Sequence, residues 1–221
     1  MSTEKLNPEY LEPTEFFDFH KNRVKRKAED ITSGLNVKAK KAQVLFYWVR
    51  DEIKYNMMTY LPQIKANFKA SVTLRRGNGF CVSKAILLST LARAVGIPAR
   101  IHLADIINHK ISPKVENLMG TKAFYYHGYS ELFLDGKWVK LTPAFDKETA
   151  LKAGYLPMCE FDGVDHAMFP EEDVNGNKFI EYINDRGVHA DLPLDEIKEV
   201  FIEKYGDLFR ADFKDIPQRL D

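Results

Sequence analysis

Cysteine is nearly missing: Cys81 and Cys159 are the only two in 221 residues. So few cannot staple a disulfide-rich secreted scaffold. Net charge is missing as well, because 32 Lys and Arg offset 32 Asp and Glu. A neutral chain carries no broad basic field, so no nucleic-acid partner is expected. Long hydrophobic runs are also lacking, since charge breaks every apolar stretch well short of a membrane span. No membrane association is therefore expected. The opening segment has no basic stretch followed by an apolar one, which leaves no export signal and predicts a cytoplasmic protein. Neither a His-Glu-x-x-His pair nor a close cysteine pair occurs, so zinc-ligand spacing is absent.

What is present is a globular composition, 45% hydrophobic and 29% charged. Thr14 is placed to cap a first helix reaching about residue 30. Its basic run, Lys21 to Lys27, is followed at once by Glu29 and Asp30 and reads as a solvated face. Val44, Leu45, Trp48 and Val49 predict one buried stripe on a second helix over 38–53. Residues 54–77 look irregular. A third helix over 78–95 is apolar nearly all round, the mark of a buried helix, and Gly96 and Pro98 end it. Strands are expected over 99–104, 124–134 and 137–141, the last two joined by the hairpin dipeptide Asp135 and Gly136. A weaker hairpin at Asn175 and Gly176 and a last helix over 193–205 complete the reading. Helices first and antiparallel strands later predict an α+β fold.

Chemistry gathers at Cys81. With Asn78 as cap, it would stand in the first turn of a helix, where free N–H groups and the dipole favour a thiolate and could hold an oxyanion. A histidine distant in sequence but close in space would complete a thiol acyl-transfer pair. His127, on the first strand of the hairpin, is one candidate among six histidines.

Three segments carry a resemblance. Residues 48–55, WVRDEIKY, are similar to the helix leading into a transglutaminase-like core. GNGFCVSKAILLSTLARAVGIPARI, residues 77–101, resembles the nucleophile helix of that superfamily and its following strand. HGYSELFLDGKWVKLTPAFD, residues 127–146, resembles its histidine hairpin. They stand in the family's order. The resemblance implies a papain-like/transglutaminase-like core over 37–150, with an N-terminal helical extension over 1–36 and a C-terminal extension over 151–221 packing on it as one compact domain. It implies Cys81 as nucleophile and His127 as general base, acting by a thioester on a peptide or protein amide without a cofactor. Cross-linking, proteolysis and deamidation all remain open. The family's third member is usually an Asp opening an Asp-Pro-Thr-like motif. Here Thr142, Pro143 and Ala144 stand instead, so Thr142 occupies that slot, with Asp146 the alternative if the strand continues. The departure keeps a second reading alive, a catalytically silent peptide-binding module of the same fold.

Other polar residues read more plainly. Arg100 is expected to pair with a carboxylate. His102, Asp105, Asn108 and His109 form a polar cluster near the expected sheet edge, read as an ordinary loop with a substrate-cleft wall as the alternative, and 173–177 reads as a turn rather than a calcium loop. Tyr125, Tyr126 and Trp138 are expected to pack, whereas Tyr129 could border the substrate groove. Cys159 reads as an incidental thiol. Asp162 and His166 would touch substrate only if their segment folds over the cleft.

Overall fold

The computed structural model describes residues 7–210, with side chains described for 7–206; the outer ends of both expected extensions, 1–6 and 211–221, lie outside the described residues. In chain order come α1 (Asn22–Ile31), α2 (Lys38–Glu52), β1 (Lys54–Tyr55), α3 (Ala70–Arg76), β2 (Asn78–Gly79) and α4 (Cys81–Ala94). There follow β3 (Ala99–Asn108), α5 (Pro113–Met119), β4 (Ala123–Leu134), β5 (Lys137–Leu141), α6 (Lys147–Ala153), β6 (Ile180–His189) and α7 (Leu194–Arg210). The fold is α+β, as the sequence predicts.

The antiparallel sheet runs β5-β4-β3-β6. Helix α4 lies against β4 and β3, with α1, α2 and α3 packed on its other sides. Every residue of α4 from Val82 to Arg93 is buried, and its polar members must therefore find partners inside. Lys84 donates to the carbonyls of Arg50 (2.9 Å) and Ile53 (2.5 Å), which the end of α2 leaves unpaired. Arg93 donates to the carbonyls of Ala99, Glu12 and Ala190 at 2.7–2.9 Å and covers the Phe17 ring. It thereby ties both chain extensions to the central helix.

Several local expectations are corrected. Thr14 caps a turn rather than a helix: its hydroxyl accepts from the Phe17 N–H and donates to Asp191, and α1 begins only at Asn22. The basic run lies within and just before α1, on its exposed side. On α2 the buried stripe is Ala42, Leu45, Phe46 and Val49, with Val44 and Trp48 half-buried. Residues 54–77 hold β1, α3 and two 3-10 turns. Periodicity signals neither the short helices α5 and α6 nor the ten-residue strand β6. The C-terminal extension supplies the edge strand β6 and the helix α7, so residues 37–150 alone do not complete the sheet.

Candidate active site

Cys81 is the first residue of α4, and its cap is Phe80, not Asn78. Asn78 is occupied otherwise, because β2 pairs in parallel with β1, Lys54 opposite Asn78 and Tyr55 opposite Gly79. The Ser83 hydroxyl accepts from the Phe80 N–H at 3.0 Å, half of a capping box. A Cβ on Gly79 would collide with that same hydroxyl, so glycine is required there. These contacts fix the direction in which α4 begins.

His127 reaches the start of α4 by two devices. The first is Gly128, whose absent Cβ would stand 2.9 Å from the Val82 Cα; only glycine lets the strand come so close. The second is a bulge. Ala104 pairs with His127 but Ile106 pairs with Phe124, so β4 carries one extra residue. Tyr126 absorbs it in the left-handed region, with φ of 56°, a conformation an L-residue keeps only when its surroundings enforce it. The enforcing group is Asp105, whose carboxylate accepts the Tyr126 N–H at 3.0 Å. Arg186 holds Asp105 through three hydrogen bonds of 2.7–3.1 Å and lies over the Tyr126 ring, and Asn184 adds a fourth bond. Paired in this way, Asp105 stays ionised below the ordinary carboxylate range despite its burial.

Burial dominates the electrostatics of the pair. It pushes the Cys81 thiol up to about 11, although the backbone N–H groups of Gly128, Val82 and Cys81 pull the other way. It drives His127 down to about 3. Rings surround the imidazole, Phe169 at 5.4 Å and Tyr182 at 6.3 Å between centroids, and its Nε2 is buried with no hydrogen-bond partner among the described residues. At neutral pH the resting pair is therefore a neutral thiol and a neutral imidazole.

The structure brings Cys81 and His127 to the wall of one cavity but sends both candidates for a third member elsewhere. Strand β5 ends at Leu141, and Asp146 caps α6 instead of continuing it. The Asp146 carboxylate accepts from the Tyr55 N–H at 2.7 Å and from Thr149 at 2.8 and 3.1 Å. Thr142 is buried, with its hydroxyl on the Met168 sulfur at 3.4 Å and beside the Tyr182 hydroxyl. Tyr129 is buried between His102 and His127 and lines neither cavity next to Cys81.

Those two spaces meet at the pair. A cavity of about 110 Å³ is walled by Met57, Leu61, Leu118, Met119, Phe201 and Tyr205, among others. A wider groove of about 730 Å³ shares Tyr55, Met57, Met58 and Phe124 with it, is also mainly apolar, and adds the polar residues Asn56, Asn108, Lys114 and Thr149. Sequence patterning points to none of the cavity walls contributed by α5 and α7. A glycine inside a strand beside a candidate base was the readable sign of close approach at Gly128.

The remaining polar residues have structural partners. Arg100 pairs with Glu131 at 2.6 Å and covers Trp138, as expected of it. Asp173 accepts from the backbone of Asn175 and Asn177 and from Lys110, closing a turn. His109 meets Glu181. Asp162 caps its own loop, and His166 accepts from the Lys140 N–H. Cys159 is buried, and its thiol is pushed up to about 12.

Comparison with solved structures finds several matches, three of which follow. A "putative cysteine protease" from Cytophaga hutchinsonii aligns with TM-score 0.48 and 16% identity, over 86% of this chain and 57% of that one. A "putative protease" from Parabacteroides distasonis gives 0.39 and 19%, over 54% and 23%. A structure described as a TGase gives 0.35 and 14%, over 55% and 29%. The chain thus spans 57% or less of each of these relatives. A comparison with curated protein sequences finds no match. The sequence model of the transglutaminase-like superfamily matches residues 25–143, more than half of the chain and a stretch holding both Cys81 and His127. The chain belongs to the transglutaminase-like superfamily.

Proposed function

We propose that this protein transfers or hydrolyses acyl groups of peptide or protein amides through a thioester on Cys81, with His127 as general base. The observation that supports this reading most is the joint placement of Cys81 at the first position of α4 and His127 on β4, on one cavity wall. Because both groups rest neutral, the proton leaves sulfur only as sulfur attacks the carbonyl carbon. The S–C bond forms, His127 takes the thiol proton and passes it to the leaving amine, and the C–N bond breaks. Water or an acceptor amine, deprotonated by the same imidazole, then cleaves the thioester. The N–H groups at the start of α4 are placed to receive the developing oxyanion. No carboxylate contacts Nε2 to stabilise the imidazolium, so the rate should fall below that of a full triad.

The test compares the parent with Cys81→Ala, each given a glutamine-containing casein and a primary amine, with amine incorporation and ammonia release as readouts. Turnover by the parent alone upholds the reading. Equal turnover, or none from either across a broad substrate panel, favours the second reading, a peptide-binding module of the same fold. The unpartnered Nε2 and the high-lying thiol are what favour that alternative.

A further inference from the structure

The space beside Cys81 differs in character on its two sides, and the chemistry of a thioester gives the two sides different work. In such a cycle the acyl group joins sulfur in the first step and leaves it in the second, and keeps its place in the site throughout. The amine must leave and a nucleophile must enter. An apolar cavity offers water few hydrogen-bonding partners and disfavours its ordering, whereas a polar-walled groove admits it. Here the cavity of about 110 Å³ is walled by aromatic rings, leucines and methionines beside the Cys81–His127 wall. The wider groove reaches the same two residues, shares Met57 and Met58 with the cavity, and differs from it by the polar residues Asn56, Asn108, Lys114 and Thr149 on an otherwise mainly apolar wall.

Helix α7 makes the apolar side a built feature rather than a gap. Its Tyr205 hydroxyl accepts from the Tyr125 N–H at 3.0 Å and donates to the Ala123 carbonyl at 2.8 Å. The helix is thereby pinned to the stretch of β4 that leads to His127. Phe201 packs on Tyr60 and on Tyr205 at ring-centroid distances of 4.4 and 4.8 Å. Methionines from the segment after β1 and from α5 line the same space and can adapt to the shape of an occupant.

We infer that the cavity is the acyl subsite, and that the substrate carries a large apolar group, aromatic or branched aliphatic, on the acyl side of the bond that Cys81 attacks. The leaving amine and the incoming nucleophile use the wider groove, where Asn56, Asn108, Lys114 and Thr149 supply polar groups. This inference rests on the proposed thioester chemistry at Cys81.

The experiment uses the full chain and two esters with one leaving group, p-nitrophenyl acetate and p-nitrophenyl 3-phenylpropanoate. Rates of Cys81 acylation are followed by intact mass and p-nitrophenolate release, and each is divided by the rate with glutathione. The phenylpropanoyl ester is expected to be favoured roughly 30-fold over acetate after that correction, the scale on which apolar pockets discriminate. Met119→Glu, on the half-buried face of the short helix α5, is expected to pull that preference toward unity. A corrected preference within about 3-fold of unity in the parent, or one undiminished by Met119→Glu, overturns the acyl-subsite assignment while Cys81 acylation itself stands. Absence of a Cys81 adduct from both esters overturns the thioester reading and this inference with it.

Discussion

Two histidines on adjoining strands of one sheet are treated in opposite ways. His102, on β3, has a carboxylate oxygen 2.7 Å from each ring nitrogen, Glu131 at Nδ1 and Asp185 at Nε2, and its ring stacks on Tyr129. His127, on β4, is enclosed by Phe169, Tyr129 and Tyr182, and its Nε2 has nothing to bond. The carboxylates that would complete a triad by appearance stand beside the histidine that lines neither cavity. Glu131 also holds Arg100, so this cluster stitches β3, β4 and β6 together. A carboxylate beside a histidine therefore marks a site only when a nucleophile shares the space. In this fold His127, and not His102, shares its cavity with Cys81.

The sharpest way to break that contrast is to remove each ring in turn. His127→Ala should lower Cys81 acylation by roughly 10²- to 10⁴-fold, the usual worth of a general base. His102→Ala should leave that rate within about 3-fold and instead lower the thermal midpoint. Burst kinetics with an activated ester, alongside calorimetry, would read both.

A second effect concerns the sulfur. With the thiol held near 11, iodoacetamide labelling of Cys81 should climb about 100-fold between pH 7 and 9 without a plateau, following the thiolate fraction. A flat profile over that interval would mean a preformed ion pair instead. Peptide mapping of the same samples should show buried Cys159 lagging behind Cys81.

The depressed His127 gives a stability signature. Its folded value of about 3 lies below the unfolded value of 6.5. The unfolded chain therefore binds the proton first, and stability is full above 6.5 and falls as pH drops toward 3. Between pH 7 and 5 this residue should cost about 2 kcal/mol. Urea titrations at the two pH values should show His127→Gln escaping that loss, whereas a His102 variant keeps it.

The smallest effect sharpens the comparison at a distance. Asp105→Asn loosens the clamp on Tyr126, and a slightly misaimed imidazole should slow acylation roughly tenfold. Nuclear magnetic resonance should show the His127 ring signals moving while those of His102 stay, which a general loss of packing would not produce.

Long, strongly patterned elements were readable without coordinates. Helix α4 announces itself by apolar residues on all sides and the Gly96 stop, and the β4–β5 hairpin by Asp135 and Gly136, both at positive φ. Elements of seven residues were not, because two turns of helix offer no period to detect. Their signs were caps: Ser112 before Pro113 for α5, and Asp146 for α6. Asp146 passes for a catalytic candidate in the sequence, because a capping carboxylate and a triad carboxylate look alike in a string of letters. Strand β6 hid because its edge position leaves most of its residues exposed, with polar side chains at half of them and no clean alternation. The Asp105–Arg186 clamp joins residues 81 positions apart, and no local pattern encodes such a pairing.

The docking of Phe201 and Tyr205 against the reactive centre has a consequence for the order of events during translation. A ribosome that has delivered Cys81 and His127 has yet to deliver the helix whose Phe201 and Tyr205 wall the cavity beside them. Until α7 emerges and its tyrosine clips onto the strand, that cavity lacks one of its walls. Selectivity for a bulky acyl group would then be acquired after synthesis of the reactive pair, and a nascent chain stalled before residue 201 would hold the chemistry without the discrimination.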